Sequence, residues 1–406
     1  MARIDAPRLD SPSFKANPYP IYARLRAEAP IYYTKVAFWL PGLWIVTRYD
    51  DVSRILRDDR FTKNYLDKFP WMPRSIRSVY RNLLTLDPPD HTRLRALVQK
   101  AFTPTLVERL RARIQTQCDR LLDEVDRHGA VDLIEAFALP LPMTIIADML
   151  GVPIEDRRRF GPWVRKAATT ATSGSLLDFL RAIPAVKSLI RYVRDLIALR
   201  RASPKDDLLT ALVDAEESGD KLTEEEVISM VILLLIAGYE TTVHLIASGV
   251  LTLIQHPKER QQLMDHPELA PSAVDEILRI TSPAEFATPR CLKEDVRIGS
   301  VSMPRGDLVA VCLGSANHDE AQFANADDFI IDRKPNKHLA FGAGGHFCLG
   351  APLARMEGEI ALVSLFRRFP DLQLAVAPEA LRWRKSLALR GLRELPVFCA
   401  AAGAAS

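Results

Sequence analysis

The run Phe341-Gly342-Ala343-Gly344-Gly345-His346-Phe347-Cys348-Leu349-Gly350 crowds four glycines around one cysteine. Glycine lets a backbone turn tightly and approach a neighbouring atom closely. An apolar run beginning Ala351-Pro352-Leu353-Ala354 follows at once, so Cys348 stands at the mouth of a helix. A thiolate there needs backbone N–H donors to keep its charge stabilised. On residue type alone, such a cysteine is a buried thiol beside a tight turn, a nucleophile, a zinc ligand or the axial ligand of a haem iron. Zinc fits worst, because no second Cys or His pair with ligand spacing lies nearby. His346, two residues before Cys348, is not a chelating arrangement that a loop commonly offers.

The chain of 406 residues is long enough for one large domain or two. With 48% apolar and 26% charged residues it has the profile of an ordinary globular protein, and a net charge of +3 points to neither nucleic acid nor an anionic membrane. Five scattered cysteines argue against a disulfide framework and for a reducing compartment. The N-terminus has no signal-peptide core, and the longest apolar stretch, Val227 to Ala237, is too short to span a bilayer and reads as a buried helix.

Residues 31–48 read as two β-runs joined by a turn at Pro41-Gly42. From about Thr92 to Leu253 the apolar spacing is helical, as at Leu106, Leu110 and Ile114. Thr223-Glu224-Glu225-Glu226 opens the longest helix with a capping hydroxyl and acids facing the positive end of the dipole. After Thr281 short β-runs and turns take over, until a helix returns at about Ala351–Phe369. No internal repeat or linker divides the chain. A helix-rich middle with β-rich flanks suggests one domain with two lobes, residues 1–406, and a flexible tail at 1–14.

Three further motifs carry chemistry. Ala237-Gly238-Tyr239-Glu240-Thr241-Thr242 places an acid and hydroxyls inside an apolar helix, where burial is costly without a task or a partner. Gly238 either permits close packing or opens the helix locally to water. Glu276 and Arg279, at i,i+3, share a helical face and read by themselves as a surface ion pair. His91 and Arg95, at i,i+4 after Asp87-Pro88-Pro89-Asp90, share the face of another helix and read as a solvated basic start or as donors to carboxylates.

Taken together, these segments resemble the haem-thiolate monooxygenases of the cytochrome P450 family, whose cysteine loop reads Phe-Gly-x-Gly-x-His-x-Cys-x-Gly. The resemblance covers roughly residues 15 to 400 and implies a mainly α fold with smaller β-sheets, built as a helix-rich lobe and a β-rich lobe around a buried haem. It implies Cys348 as the iron ligand within a loop shaped by Phe341, Gly344 and Gly350. His91, Arg95, Arg290 and His346 would hold the propionates of haem b. Glu276, Arg279 and Arg333 would form a buried network behind the haem. Thr241 would hydrogen-bond the dioxygen, and Glu240 would relay protons to it.

The activity so implied is insertion of one oxygen atom from O2 into a C–H or C=C bond of a lipophilic small molecule. Electrons would come from NAD(P)H through a separate reductase and a ferredoxin or flavodoxin, docking near Arg93, Lys100, Arg109 and Arg111. A cytoplasmic, bacterial-type enzyme without a membrane anchor fits best. The rivals are a peroxide-dependent or oxidative-coupling enzyme on the same fold, and a haem-binding sensor. Intact Glu240-Thr241 favours dioxygen. By the same resemblance the substrate pocket draws on Phe69, Trp71 and Leu84, the segment Thr169–Ile190, Leu234 and Ala237, Ala284–Thr288 with Ala287, and Leu387-Ala388. Asp178, Arg181 and Lys187 are expected on a solvent face. Glu285 is expected to be exposed, the alternative being a partner for a cationic substrate group such as an amino sugar.

Overall fold

The structure is a computed structural model that describes residues 8–35, 42–68, 72, 74–102, 104–125, 130–173, 176–217 and 222–399. Its axis is the helix Glu224–Gln255. Thr223 accepts the N–H of Glu226 at 3.2 Å, and the Glu226 carboxylate takes the N–H of Thr223 at 2.8 Å. That reciprocal cap satisfies two donors that a helix start leaves unpaired. The helix runs well past the apolar stretch read from sequence, and by length and composition it could cross a membrane. Here it threads the core, with Val227, Met230, Val231, Leu235, Ile246 and Val250 all buried.

Helices Arg74–Tyr80, Pro140–Met149, Arg157–Ser173, Leu176–Ala202, Ala270–Thr281 and Ala351–Arg368 pack against it. The helix does not open at Gly238, contrary to one of the two readings above. A Cβ there would lie 3.1 Å from Ile146 Cδ1, so the glycine serves close packing against Pro140–Met149.

The β-rich part is a five-stranded sheet in the order Ile31–Thr34, Leu43–Val46, Leu308–Val311, Arg290–Leu292, Phe61–Thr62. Leu43–Val46 lies parallel to Leu308–Val311, and the other pairings are antiparallel. Pairing Phe61 with Leu292 and Thr62 with Cys291 brings Lys63 beside Arg290 at one edge of the sheet. A three-stranded sheet, Ala130–Asp132, Pro396–Phe398 and Gln373–Leu374, ties the C-terminal segment back to the helices. The described part of the expected N-terminal tail, residues 8–14, is packed: Leu9 and Phe14 are buried among Tyr22, Leu25 and Ile45. Two apolar side chains within five residues of the helix start anchor it.

Candidate active site

The cysteine loop closes on itself. Cys348 N–H donates to Phe341 O at 3.0 Å, and Phe347 N–H donates to Gly344 O at 3.0 Å. Gly344 has φ +71°, and a Cβ there would lie 2.8 Å from Leu56 O, so only glycine fits without strain. Cys348 is exposed at the start of helix Ala351–Arg368. Burial of its surroundings pushes the thiol pKa up, while the N–H of Gly350, the Arg95 guanidinium, the N–H of Ala351 and Arg355 pull it down. Arg355 also stacks over Phe341 at 4.7 Å and pairs with Asp275 at 2.7 Å, which fixes the loop against helix Ala270–Thr281.

Next to this loop lies a buried cluster of basic groups. The rings of His91 and His346 sit 4.1 Å apart, and His346 Nδ1 lies 3.1 Å from Leu83 O. Burial lowers the pKa of His346 to about 3, helped by Lys63, His91 and Arg290. Arg290 is brought down to about 10, chiefly by burial. Lys63, a residue sequence reasoning missed, is held far below its usual value by burial and by Arg290. Asp87 is the nearby anion, and it is committed to Thr62 and to the N–H groups of Lys63 and Asn64. His91 Nε2 and Arg290 Nη1 are buried without a partner among the described residues. Arg95 is half-buried, and burial lowers its pKa while Cys348 opposes the shift. A largely buried cluster of basic groups with orphaned donors beside a cysteine suits a ligand bearing carboxylates.

Behind the loop, Glu276 is fully buried and holds two arginines. Arg279 donates to both of its oxygens at 2.8 Å, and Arg333 Nε donates to Oε1 at 2.9 Å. Ile330 N–H and Asn336 Nδ2 complete the carboxylate's shell at 3.0 and 3.1 Å. The arginines spend their remaining donors on carbonyls of Asn317, Ala324, Asn325, Ala326 and Asp328. Burial works to raise the Glu276 pKa, but Arg279 and Arg333 bring it below the usual range. The spacing suggested a surface pair; the structure makes it an interior brace.

Glu240 and Thr241 form a separate group on the long helix. Thr241 Oγ1 donates to Ala237 O at 3.2 Å. Glu240 is buried, which raises its pKa, while Arg384 at 3.7 Å opposes the shift. Glu240 and Arg384 line a cavity with His244, whose imidazole burial holds neutral, with a pKa of about 3.

Known proteins similar to this chain show the family it belongs to. The sequence model of the family described as Cytochrome P450 matches residues 31–379. The polyketide biosynthesis cytochrome P450 PksS of Bacillus subtilis is 43% identical over 394 residues, covering 95% of this chain and 96% of the relative. The 6-deoxyerythronolide B hydroxylase of Saccharopolyspora erythraea is 39% identical, with 96% of this chain and 98% of the relative covered. The structure of P450BioI in complex with an acyl carrier protein ligated to hexadec-9Z-enoic acid superposes with a TM-score of 0.89 at 39% identity. It covers 96% of this chain and 100% of that one.

The chain belongs to the cytochrome P450 family.

It is an oxidoreductase of the bacterial P450 monooxygenases, near polyketide and macrolide hydroxylases, and the family implies a haem-thiolate cofactor. Among the residues expected around the substrate, Ala237 is exposed on a helix otherwise largely buried, Leu84 is exposed, and Leu234, Ala287 and Leu387 are half-buried. Phe69 and Trp71 lie outside the described residues, as do residues 174–175 within Thr169–Ile190. Asp178, Arg181 and Lys187 are exposed, as expected. Glu285 is not: it is fully buried and paired with Lys15, some 270 positions away, so it meets a cation of the chain itself. Of the basic residues assigned to a docking face, Arg93 pairs with Glu226 and Arg111 with Glu108, which lowers the net charge they present.

Proposed function

We propose that this chain is a single-domain haem b monooxygenase, residues 1–406, that places one oxygen atom of O2 on a C–H or C=C bond of a lipophilic, polyketide-like molecule. One observation carries the cofactor reading: His91, Arg290 and Lys63 are buried together around the half-buried His346, with orphaned donors at His91 Nε2 and Arg290 Nη1, beside the exposed Cys348. In this reading the Cys348 thiolate is the iron ligand, and His91, Arg95, Arg290 and His346 take the two carboxylates. Phe341, Gly344 and Gly350 shape the loop. The Glu276, Arg279 and Arg333 brace holds the loop's support in place.

What the haem supplies when bound is reductive activation of dioxygen and transfer of one of its atoms, the other leaving as water. The chain's residues set the conditions for that. Backbone N–H groups of Gly350 and Ala351 favour charge on the Cys348 sulfur. Burial lets the Glu240 carboxyl hold a proton, and Arg384 favours its release, so the acid can pass protons toward the Thr241 hydroxyl. Leu84, Leu234, Ala237, Ala287 and Leu387 give the substrate an apolar surround that excludes water. The polyketide class is supported by the names of the relatives, PksS and 6-deoxyerythronolide B hydroxylase. Electrons would arrive from NAD(P)H through a separate reductase and a ferredoxin or flavodoxin in the cytoplasm.

The test is turnover of a macrolactone probe with NADPH, labelled dioxygen and a surrogate ferredoxin–reductase pair, beside a peroxide-only arm. Label in the product supports the reading. Product from the peroxide arm alone would make the protein a peroxide-dependent enzyme.

A further inference from the structure

Among the described residues two lysines are buried to 2% exposure or less, and both reach the same short segment. Lys15, in helix Pro12–Ala16, donates to Glu285 Oε2, and both side chains are essentially out of solvent. Lys63 donates to the carbonyl of Thr288 at 2.9 Å and also to its hydroxyl. Residues 285–288 therefore hang between two buried lysine side chains, two residues short of Arg290 in the basic cluster.

The segment's backbone is spoken for as well. Glu285 and Phe286 N–H both donate to Ala388 O, at 2.9 and 3.1 Å, and Ala287 N–H donates to Val311 O at 3.1 Å. This binds it to the turn carrying Leu387 and Ala388. Arg390, at the end of that turn, donates to Lys15 O at 2.9 Å and to Ala16 O at 3.2 Å, so the N-terminal helix grips both pieces. Glu285 and Phe286 point into the core, whereas Ala284, Ala287, Leu387 and Ala388 stay half-exposed.

A buried ion pair adds little stability over well-packed apolar side chains of the same size. It does fix direction, because charge-assisted hydrogen bonds hold only over a narrow range of geometry. We propose that Lys15 and Glu285 are a positioning pair: from the far side of the segment they set where Ala287 and Leu387 stand as the wall of the substrate pocket. Lys63 fixes the other end through Thr288. The N-terminal helix, which supplies none of the expected pocket residues, thereby influences which substrates bind. This rests on the haem-thiolate reading above and on Ala287 and Leu387 lining the pocket.

The experiment compares two azole probes by optical titration of the haem-loaded protein. Imidazole needs only the iron, whereas 4-phenylimidazole also needs the apolar wall. The variants are the apolar double substitution Lys15→Met/Glu285→Met and the charge-conserving Glu285→Asp, which shortens the tie by one methylene. In the double variant the Kd for 4-phenylimidazole is expected to rise about tenfold, while that for imidazole and the haem content stay near wild type. Glu285→Asp should show the same selective loss in smaller degree, and it carries the test alone if the double variant fails to load haem. An unchanged ratio of the two Kd values would overturn the proposal, and so would equal weakening of both probes, which would make the pair a general support. A wild-type protein that gives no thiolate spectrum would instead sink the haem-thiolate reading before any variant is compared.

Discussion

Glu357 sits fully buried in the helix that follows the cysteine loop, its Oε2 without a partner among the described residues, and burial lifts its pKa from 4.5 to about 8. Folded protein therefore keeps the acid neutral at pH 7, while the unfolded chain ionises it. Because the folded value is the higher one, the acid's contribution to stability is fully present below about pH 4.5 and is lost as pH rises toward 8. Glu357→Gln, which cannot ionise, should raise Tm at pH 8 by an amount corresponding to a few kcal/mol at most, and much less at pH 5.5. A gain in thermal melts that does not depend on pH would contradict this. Residue type and local spacing are enough to single out Cys348, His91 and Arg95 as candidates, and the structure brings them near one another. Glu285 and Lys63 were not legible in the sequence, because their partners are supplied from distant parts of the chain. Nothing in Ala284-Glu285-Phe286 says that Lys15 will be its neighbour.

Elements came through where their ends carry a signal. The capping hydroxyl of Thr223 marks a true helix boundary. The interior of the long helix did not, since a glycine that packs against Ile146 looks the same in sequence as one that opens a helix. Likewise Glu276 and Arg279 have the spacing of a surface pair, and only Arg333 and the surrounding carbonyls bury them. Glu276→Ala would leave two buried guanidinium groups without their anion, a loss of about 3–5 kcal/mol. The expected outcome is a fall in Tm together with poor haem incorporation, read as the haem-to-protein ratio after purification. A normally loaded protein would contradict the bracing role. Gly344→Ala probes the loop itself: its left-handed backbone and the contact with Leu56 O should cost about 1–2 kcal/mol. Faster transfer of haem to apomyoglobin is the expected readout, and an unchanged rate would show that the loop tolerates the strain.

Across the whole molecule, the two lobes meet where sheet pairing delivers Lys63 and Arg290 beside the loop of His346 and Cys348. Sequence could place the helices and the short strands along the chain. It could not place the parallel pairing of Leu43–Val46 with Leu308–Val311, because strand partners so far apart are chosen by packing rather than by local pattern. The family resemblance implied the mainly α fold with smaller β-sheets but not that pairing, and the comparisons bear the fold out. The proposal on which the rest depends is that this architecture holds a haem through the sulfur of Cys348. The carbon monoxide difference spectrum of the dithionite-reduced protein, recorded for wild type and Cys348→Ala, tests it. A strongly red-shifted Soret band that the substitution abolishes is the expected result. A band at the position typical of histidine-ligated haem, or one that survives in Cys348→Ala, would contradict it.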